Sequence, residues 1–209
     1  MLDPIVITDA VNEPVSLAEV QSHAKIDTTT SDQDDLVEGV YIPMARKFIE
    51  GHTGRTIHEK TLEVHLGSFP SGKNFIFLPG ATPLISITSV TYVDENNVST
   101  VWSSSNYYAY EGAANQLGAL QKAGSVAWPD FTPSAVAPVR IRYNAGIETD
   151  SPVVSAGADV REAMFLLVAM LWRNREAAVL PDRSGISAMV QMNPGLDQLL
   201  DDMKVIRVF

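Results

Sequence analysis

The stretch Gly67-Ser-Phe-Pro-Ser-Gly72-Lys73-Asn74 has the spacing of a phosphate-binding loop, with four residues between two glycines and a lysine after the second. In such a loop backbone N–H groups cradle phosphates, the lysine reaches the terminal ones, and a following Ser or Thr holds magnesium. Here Asn74 stands at the hydroxyl position, Pro70 removes one N–H, and the following FIFLP reads as a strand where a phosphate loop must open a helix. A β-hairpin connection is the better account, and nucleotide hydrolysis through Gly72 and Lys73 is the weakest reading of the chain. The four histidines (His23, His52, His58, His65) match no metal spacing, and His58-Glu59 lacks the second His of H-E-x-x-H. Surface or rim positions are expected for them. Asp32, Asp34 and Asp35 lack the glycine and the terminal glutamate of a calcium loop, and a charged helix start explains them. Asn97-Val-Ser99 is a glycosylation sequon that matters only in a secreted chain. There is no G-x-S-x-G elbow, dinucleotide glycine fingerprint or cysteine, so thiol nucleophiles, disulfides and thiolate metal sites are excluded. The sequence therefore predicts a non-enzyme with no cofactor and no metal. Trp128, Tyr107, Tyr108 and Tyr110 offer a binding face for carbohydrate or peptide, and sheet packing accounts for each of them equally well.

The elements that must position these residues follow from periodicity. Asp34–Thr53 and Asp159–Val179 are strongly helical, and neither is stable alone, so they are expected to pack together across about a hundred residues. Leu36, Val37, Val40, Tyr41, Met44, Ala45, Phe48 and Ile49 make the stripe of the first, and Gly54 is its stop. Pro43 lies inside it and predicts a kink near Gly39–Pro43. In the second, Val160, Ala163, Met164, Leu167, Val168 and Leu171 form the stripe, with an Asp159/Glu162 capping box ahead of it. Phe165, Leu166 and Met170 widen that stripe until the helix is apolar nearly all round, so it is central or lies at a subunit interface. Ser16 and Glu19 cap a shorter helix ending near Lys25, and Leu196–Met203 suits a last one. Between the long helices the period drops to two. Thr61–Leu66, Phe75–Leu78, Ile85–Val93, Val98–Trp102, Tyr107–Tyr110 and Val139–Tyr143 predict one sheet of about five or six strands.

The fold class expected is α+β: a helical bundle base, with helices near 16–25, 34–53, 159–179 and 196–203, carrying an inserted antiparallel β-rich subdomain. The segments are 1–56 (base, N-terminal part), 57–147 (insertion) and 148–209 (base, C-terminal part and tail). The charge of −10, from 25 acidic against 15 basic residues, comes with no Lys/Arg run and argues against sequence-specific DNA binding. The N-terminus lacks the pattern of a signal peptide, and Met164–Trp172 is too short to span a bilayer, so a soluble intracellular protein with no membrane partner is expected.

An ordered set of segments carries a resemblance. PVSLAEVQSHAKID, ARKFIEGHTGRTI, LPGATPLISITSVTYVDENN, GSVAWPD, VRIRYNAGI and VREAMFLLVAMLWRNREAAV run from Pro14 to Val179. Together they resemble the head–tail connector (adaptor, head completion) proteins of tailed bacteriophages, prophages and gene transfer agents. The resemblance implies a ring, usually of twelve copies, beneath the portal protein. That ring extends the channel through which double-stranded DNA passes without sequence-specific binding, and it docks a tail-side connector or stopper protein. It implies a virion location at the head–tail junction, with the host cytoplasm before assembly. By the same resemblance Leu199, Leu200, Met203, Val205, Ile206, Val208 and Phe209 contact the portal, unless the tail folds back onto its own core. Phe165, Leu166 and Met170 are the corresponding candidates for the ring interface. A carbohydrate- or peptide-binding module using the β-rich insertion is the alternative.

Overall fold

Ser16 caps the first helix as its sequence predicts. In a computed structural model, which describes residues 3–26, 31–112, 116–133, 136–147, 157–174 and 193–205, its hydroxyl accepts from the Glu19 N–H at 3.4 Å. The Glu19 carboxylate in turn accepts from the Ser16 N–H at 2.9 Å, completing the capping box. Helix α1 (Leu17–Ala24) then ends at Lys25 in a left-handed conformation, φ 52°. The fold is α+β, and its described residues divide into two compact units, one helical and one of sheet.

In the helical unit, α2 (Ser31–Leu36) runs through a π turn (Val37–Tyr41) into α3 (Ile42–Thr53). The π turn resolves the Pro43 problem. An α-helix would drive the proline ring into the carbonyl four residues back and lose a hydrogen bond there. Instead the Ile42 N–H bonds the Val37 carbonyl five residues back, so Pro43 sits in the first turn of α3, where no N–H is needed. Gly54 closes α3 at φ 75°, its N–H on the Glu50 carbonyl at 2.9 Å.

Helix α4 (Ala158–Arg173) begins differently from expectation. Gly157 is its N-cap, with no side-chain cap, and Asp159 lies inside the first turn. Glycine is tolerated at that position, and a first-turn carboxylate still complements the helix dipole. Residues 175–179 of the expected helix lie outside the described residues. Helix α5 (Pro194–Asp202) is capped by Asn193, whose side-chain oxygen accepts from the Leu196 N–H at 3.3 Å.

Helix α4 is the axis of this unit, packing on α1, α3 and α5. Its stripe Val160, Ala163, Met164, Leu167, Val168 and Leu171 is fully buried with Val20, Val37, Ile42, Ala45, Ile49, Leu196 and Leu200. One charge is inside: Arg46, 2% exposed, donates to Glu13 at 2.8 Å and to Glu50 at 3.2 Å. The other Glu50 oxygen accepts from the Ile57 N–H at 3.0 Å.

The sheet unit holds two antiparallel sheets rather than one. Strands β1 (Ile5–Thr8), β2 (Lys60–Leu66), β4 (Leu84–Val93), β5 (Ser99–Val101) and β8 (Val139–Ala145) form the larger, in the order β1-β2-β8-β4-β5. Strands β3 (Phe75–Phe77), β6 (Tyr107–Tyr110) and β7 (Ala119–Lys122) form the smaller, in the order β3-β7-β6. Leu62, Val64, Val90, Val139, Ile141 and Tyr143 from the first join Ile76, Tyr107 and Leu120 from the second in one core. The Tyr143 hydroxyl donates to the Pro79 carbonyl at 2.5 Å, and burial pushes its pKa up. Residues 3–10 group with this unit, because β1 pairs with β2, and not with the helical part to which 1–56 was allotted; Val205 groups with it too. Residues 67–74 connect β2 to β3 in the other sheet, so they are not a hairpin.

Gly118 holds the two sheets' connections close. It donates to the Ala81 carbonyl at 2.7 Å and accepts from the Leu78 N–H at 2.9 Å. A Cβ there would lie 2.4 Å from Leu84 Cβ and 2.8 Å from the Ala81 oxygen. Gly118→Ala should therefore destabilise the chain by about 1–3 kcal/mol, the usual cost of overpacking. Urea denaturation checks this, and an unchanged midpoint refutes the close approach.

Glu19 gives a pH dependence with a definite sign. Burial pushes its carboxyl up, but the Ser16 N–H and hydroxyl and the paired Arg161 guanidinium outweigh this and hold it below its ordinary value of 4.5. A depressed carboxyl stabilises the fold above its unfolded pKa, and that stability is lost as pH falls through the folded one. Glu19→Gln should cost about 0.5–2 kcal/mol at neutral pH, as for a lost cap. Thermal melts should show the gap to wild type closing as pH drops below 4.5. A gap that persists in acid refutes the linkage.

Candidate assembly surfaces

The residues with chemical potential are occupied structurally. The Lys73 carbonyl accepts from Trp128 Nε1 at 2.8 Å and the Asn74 carbonyl from the Lys122 N–H at 2.9 Å. The loop then enters β3, so it has no helix start to hold a phosphate. His23 stacks on Phe165, with ring centroids 5.0 Å apart, and His52 on Phe48 at 5.9 Å. His65 Nε2 lies 2.6 Å from Glu63, which also pairs with Arg142 at 2.8 Å. His58 is buried, contrary to the expected surface or rim position. Among the described residues, no three His, Cys, Asp or Glu side chains are grouped to hold a metal, and no helix is long and apolar enough to cross a membrane.

The aromatics split. Phe69 stacks on Trp128 at 5.3 Å and meets Trp102, Tyr92 and Phe131 within 6.2 Å, so the Trp128 ring is used in packing. Tyr107 is buried, while Tyr108 and Tyr110 are exposed two residues apart on β6.

The C-terminal candidates also split. Leu200 and Met203 are buried in the helical core, so they are core residues and not free anchors. Alternation along α5 explains this: with Leu196, Leu200 completes the inward stripe of a short amphipathic helix. Leu199 is half-buried on the flank of that core, and Val205 is half-buried beyond it. Ile206, Val208 and Phe209 lie outside the described residues. Phe165, Leu166 and Met170 are half-buried at the borders of the α4 stripe, around the rim of the same core. The Arg161 guanidinium stands 5.8 Å from the Phe165 ring, and Met170 Sδ is 4.0 Å from Asn193 Nδ2.

The surface that sequence reasoning missed is at the sheet edges. Ile5, Val6 and Ile7 of β1 are 47%, 50% and 43% exposed, and Val101 of β5 is 67% exposed. An uncharged β-branched run normally reads as core, and the sequence has no signal for which strand will be outermost.

No protein-family model matches the chain, and no curated protein matches it. Solved structures do. The chain aligns over 100% of its length with 98% of a chain in the virion of a native gene transfer agent particle, at TM-score 0.71 and 20% identity. It aligns equally fully with chains in the neck of the empty particle computed with C6 symmetry (TM-score 0.70, 20% identity) and of the native particle computed with C12 symmetry (0.69, 19%). Its fold is that of chains in gene transfer agent particles. The likeness covers the helical elements and the sheet elements alike.

Truncating a buried leucine should separate core from surface in α5. Leu200→Ala should cost about 2–5 kcal/mol, as for other buried leucines, and Leu199→Ala less than half as much. Chemical denaturation measures both, and equal costs would refute the assignment of Leu200 to the core.

Proposed function

We propose that this chain is a structural subunit of the neck of a phage-like particle: a head–tail adaptor that forms a ring under the portal, extends the DNA channel and docks tail components. The observation that carries this reading is the full-length fold match to chains in gene transfer agent particles, two of them in necks computed with C6 and C12 symmetry. The C12 symmetry of one of these necks supports a twelve-copy ring. The chemistry agrees with a role in assembly. The loop and histidines that could have served catalysis are engaged in packing or hydrogen bonds, and the net charge of −10 gives no basis for gripping phosphates.

In this reading the helical segments are the ring-forming base, and the half-buried Phe165, Leu166 and Met170 are covered by neighbouring copies. Leu199, Val205, Ile206, Val208 and Phe209 reach the portal, while Leu200 and Met203 hold α5 in place behind them. The sheet unit faces the tail-side connector or stopper. The protein resides in the virion at the head–tail junction and in the bacterial cytoplasm before assembly.

Electron microscopy of the purified chain, alone and mixed with its portal, should show rings. A version lacking Val205–Phe209 should keep its melting temperature and lose portal attachment. Absence of rings in both samples overturns the proposal, and a truncated chain that still attaches overturns the role of the tail.

A further inference from the structure

Among the described residues, both edge strands of the five-stranded sheet are exposed and uncharged. At one edge all four residues of β1 are exposed, and at the other all three of β5 are. Edge strands present unpaired N–H and C=O groups, and chains that stay apart blunt them by shortness, bulges, lysine, proline or inward charge; β1 and β5 are short, at four and three residues. Neither IVIT nor STV contains a charged residue or a proline. The single irregularity in β1 is a register shift between Val6 and Thr8, which leaves Ile5 and Val6 regular.

The two edges also match each other. Ile5 stands opposite Glu63, which stands opposite Arg142; Val101 stands opposite Thr91, which stands opposite Arg140. Cross-strand partners share a face. Ile5 and Val101 are therefore the apolar ends of one otherwise polar face, built from Thr91, Arg140, Arg142 and Glu63. Every neighbouring pair in the sheet is antiparallel. Counting across the order β1-β2-β8-β4-β5, β1 and β5 run in the same direction.

We infer that β5 of one copy pairs with β1 of the next, joining neighbouring sheets edge to edge. The inference rests on the ring reading above and names the contact that closes the ring. Pairing β5 with β1 is heterologous, so it repeats around a rotation axis and leaves no edge free when the ring closes. Because β1 and β5 run in the same direction, rotation about an axis lying along the strands makes the junction a parallel ladder. Pairing β1 with β1 about a two-fold axis would instead be antiparallel and would stop at a dimer, leaving both β5 edges exposed.

The chain has no cysteine, so engineered thiols report without background. Ile5→Cys and Val101→Cys combined in one chain should give a ladder of covalent oligomers with a short thiol cross-linker, and neither single variant should. Within one copy the two positions are four strand spacings of about 4.8 Å apart, beyond the reach of such a reagent. As a second measurement, Thr100→Lys should abolish assembly while leaving the circular dichroism spectrum and melting temperature of the monomer intact. Dimers from Ile5→Cys alone would overturn the inference in favour of β1–β1 pairing. Wild-type rings that persist in Thr100→Lys, with no ladder from the double variant, would overturn it and leave the ring reading standing. A wild-type chain that never assembles, alone or with portal, overturns both.

Discussion

The pairing of β2 with β8 is the constraint on which the rest of the chain depends. These strands match residue for residue from Lys60↔Ala145 to Leu66↔Val139, and Thr61 hydrogen-bonds Asn144 at 3.1 Å across 83 positions of sequence. The ladder brings the start and the end of the long β-rich segment side by side. The entropy of closing so long a loop grows only slowly with its length, so one seven-residue ladder suffices to close it. In the order β1-β2-β8-β4-β5 this ladder lies inside the sheet, and β1 and β5 are its outer strands.

Within the helical unit the corresponding commitment is Arg46. A guanidinium almost wholly removed from water is tolerated only if its charge is paired and its donors are satisfied. Glu13 precedes α1, Glu50 lies one turn further along α3, and Glu50 also takes the Ile57 N–H. A single buried cation thus ties the approach to α1, the body of α3 and the segment leaving it. Replacing one partner would leave an uncompensated charge, so these three stretches of chain are fixed together.

Elements written in strong local chemistry were legible in the sequence. The Ser16–Glu19 box, the Gly54 stop, the buried stripe of α4 and the alternation of β2 follow from side-chain types at fixed spacings. Elements decided by competition were not. Ala119–Lys122 has no β-branched or aromatic residue, and it is a strand because Ile76 and Ala109 flank Leu120 on either side. Ile5–Thr8 looks like core and is an edge, since strand order is a tertiary property. Pro43 signalled a disturbance, but whether a helix kinks or widens depends on which carbonyl its neighbours can reach. At the C-terminus, the hydrophobic residues were visible and their allocation was not: Leu200 and Met203 serve the core because the four-residue spacing of Leu196 and Leu200 points both inward.

The charge of the chain bears on what kind of contact can hold copies together. Each copy carries −10, so identical subunits brought side by side repel one another. Salt screens exposed charges over about 8 Å at physiological strength, which weakens the long-range repulsion but supplies no attraction. Attraction must then be short-ranged, from apolar burial and hydrogen bonds that water can no longer satisfy. The strand edges provide both, and the basic groups nearest them are internally compensated in part, since Arg142 is paired with Glu63 and only Arg140 stands exposed beside it. Neither β1 nor β5 carries a charged side chain, so pairing at these edges would bring no further like charges together.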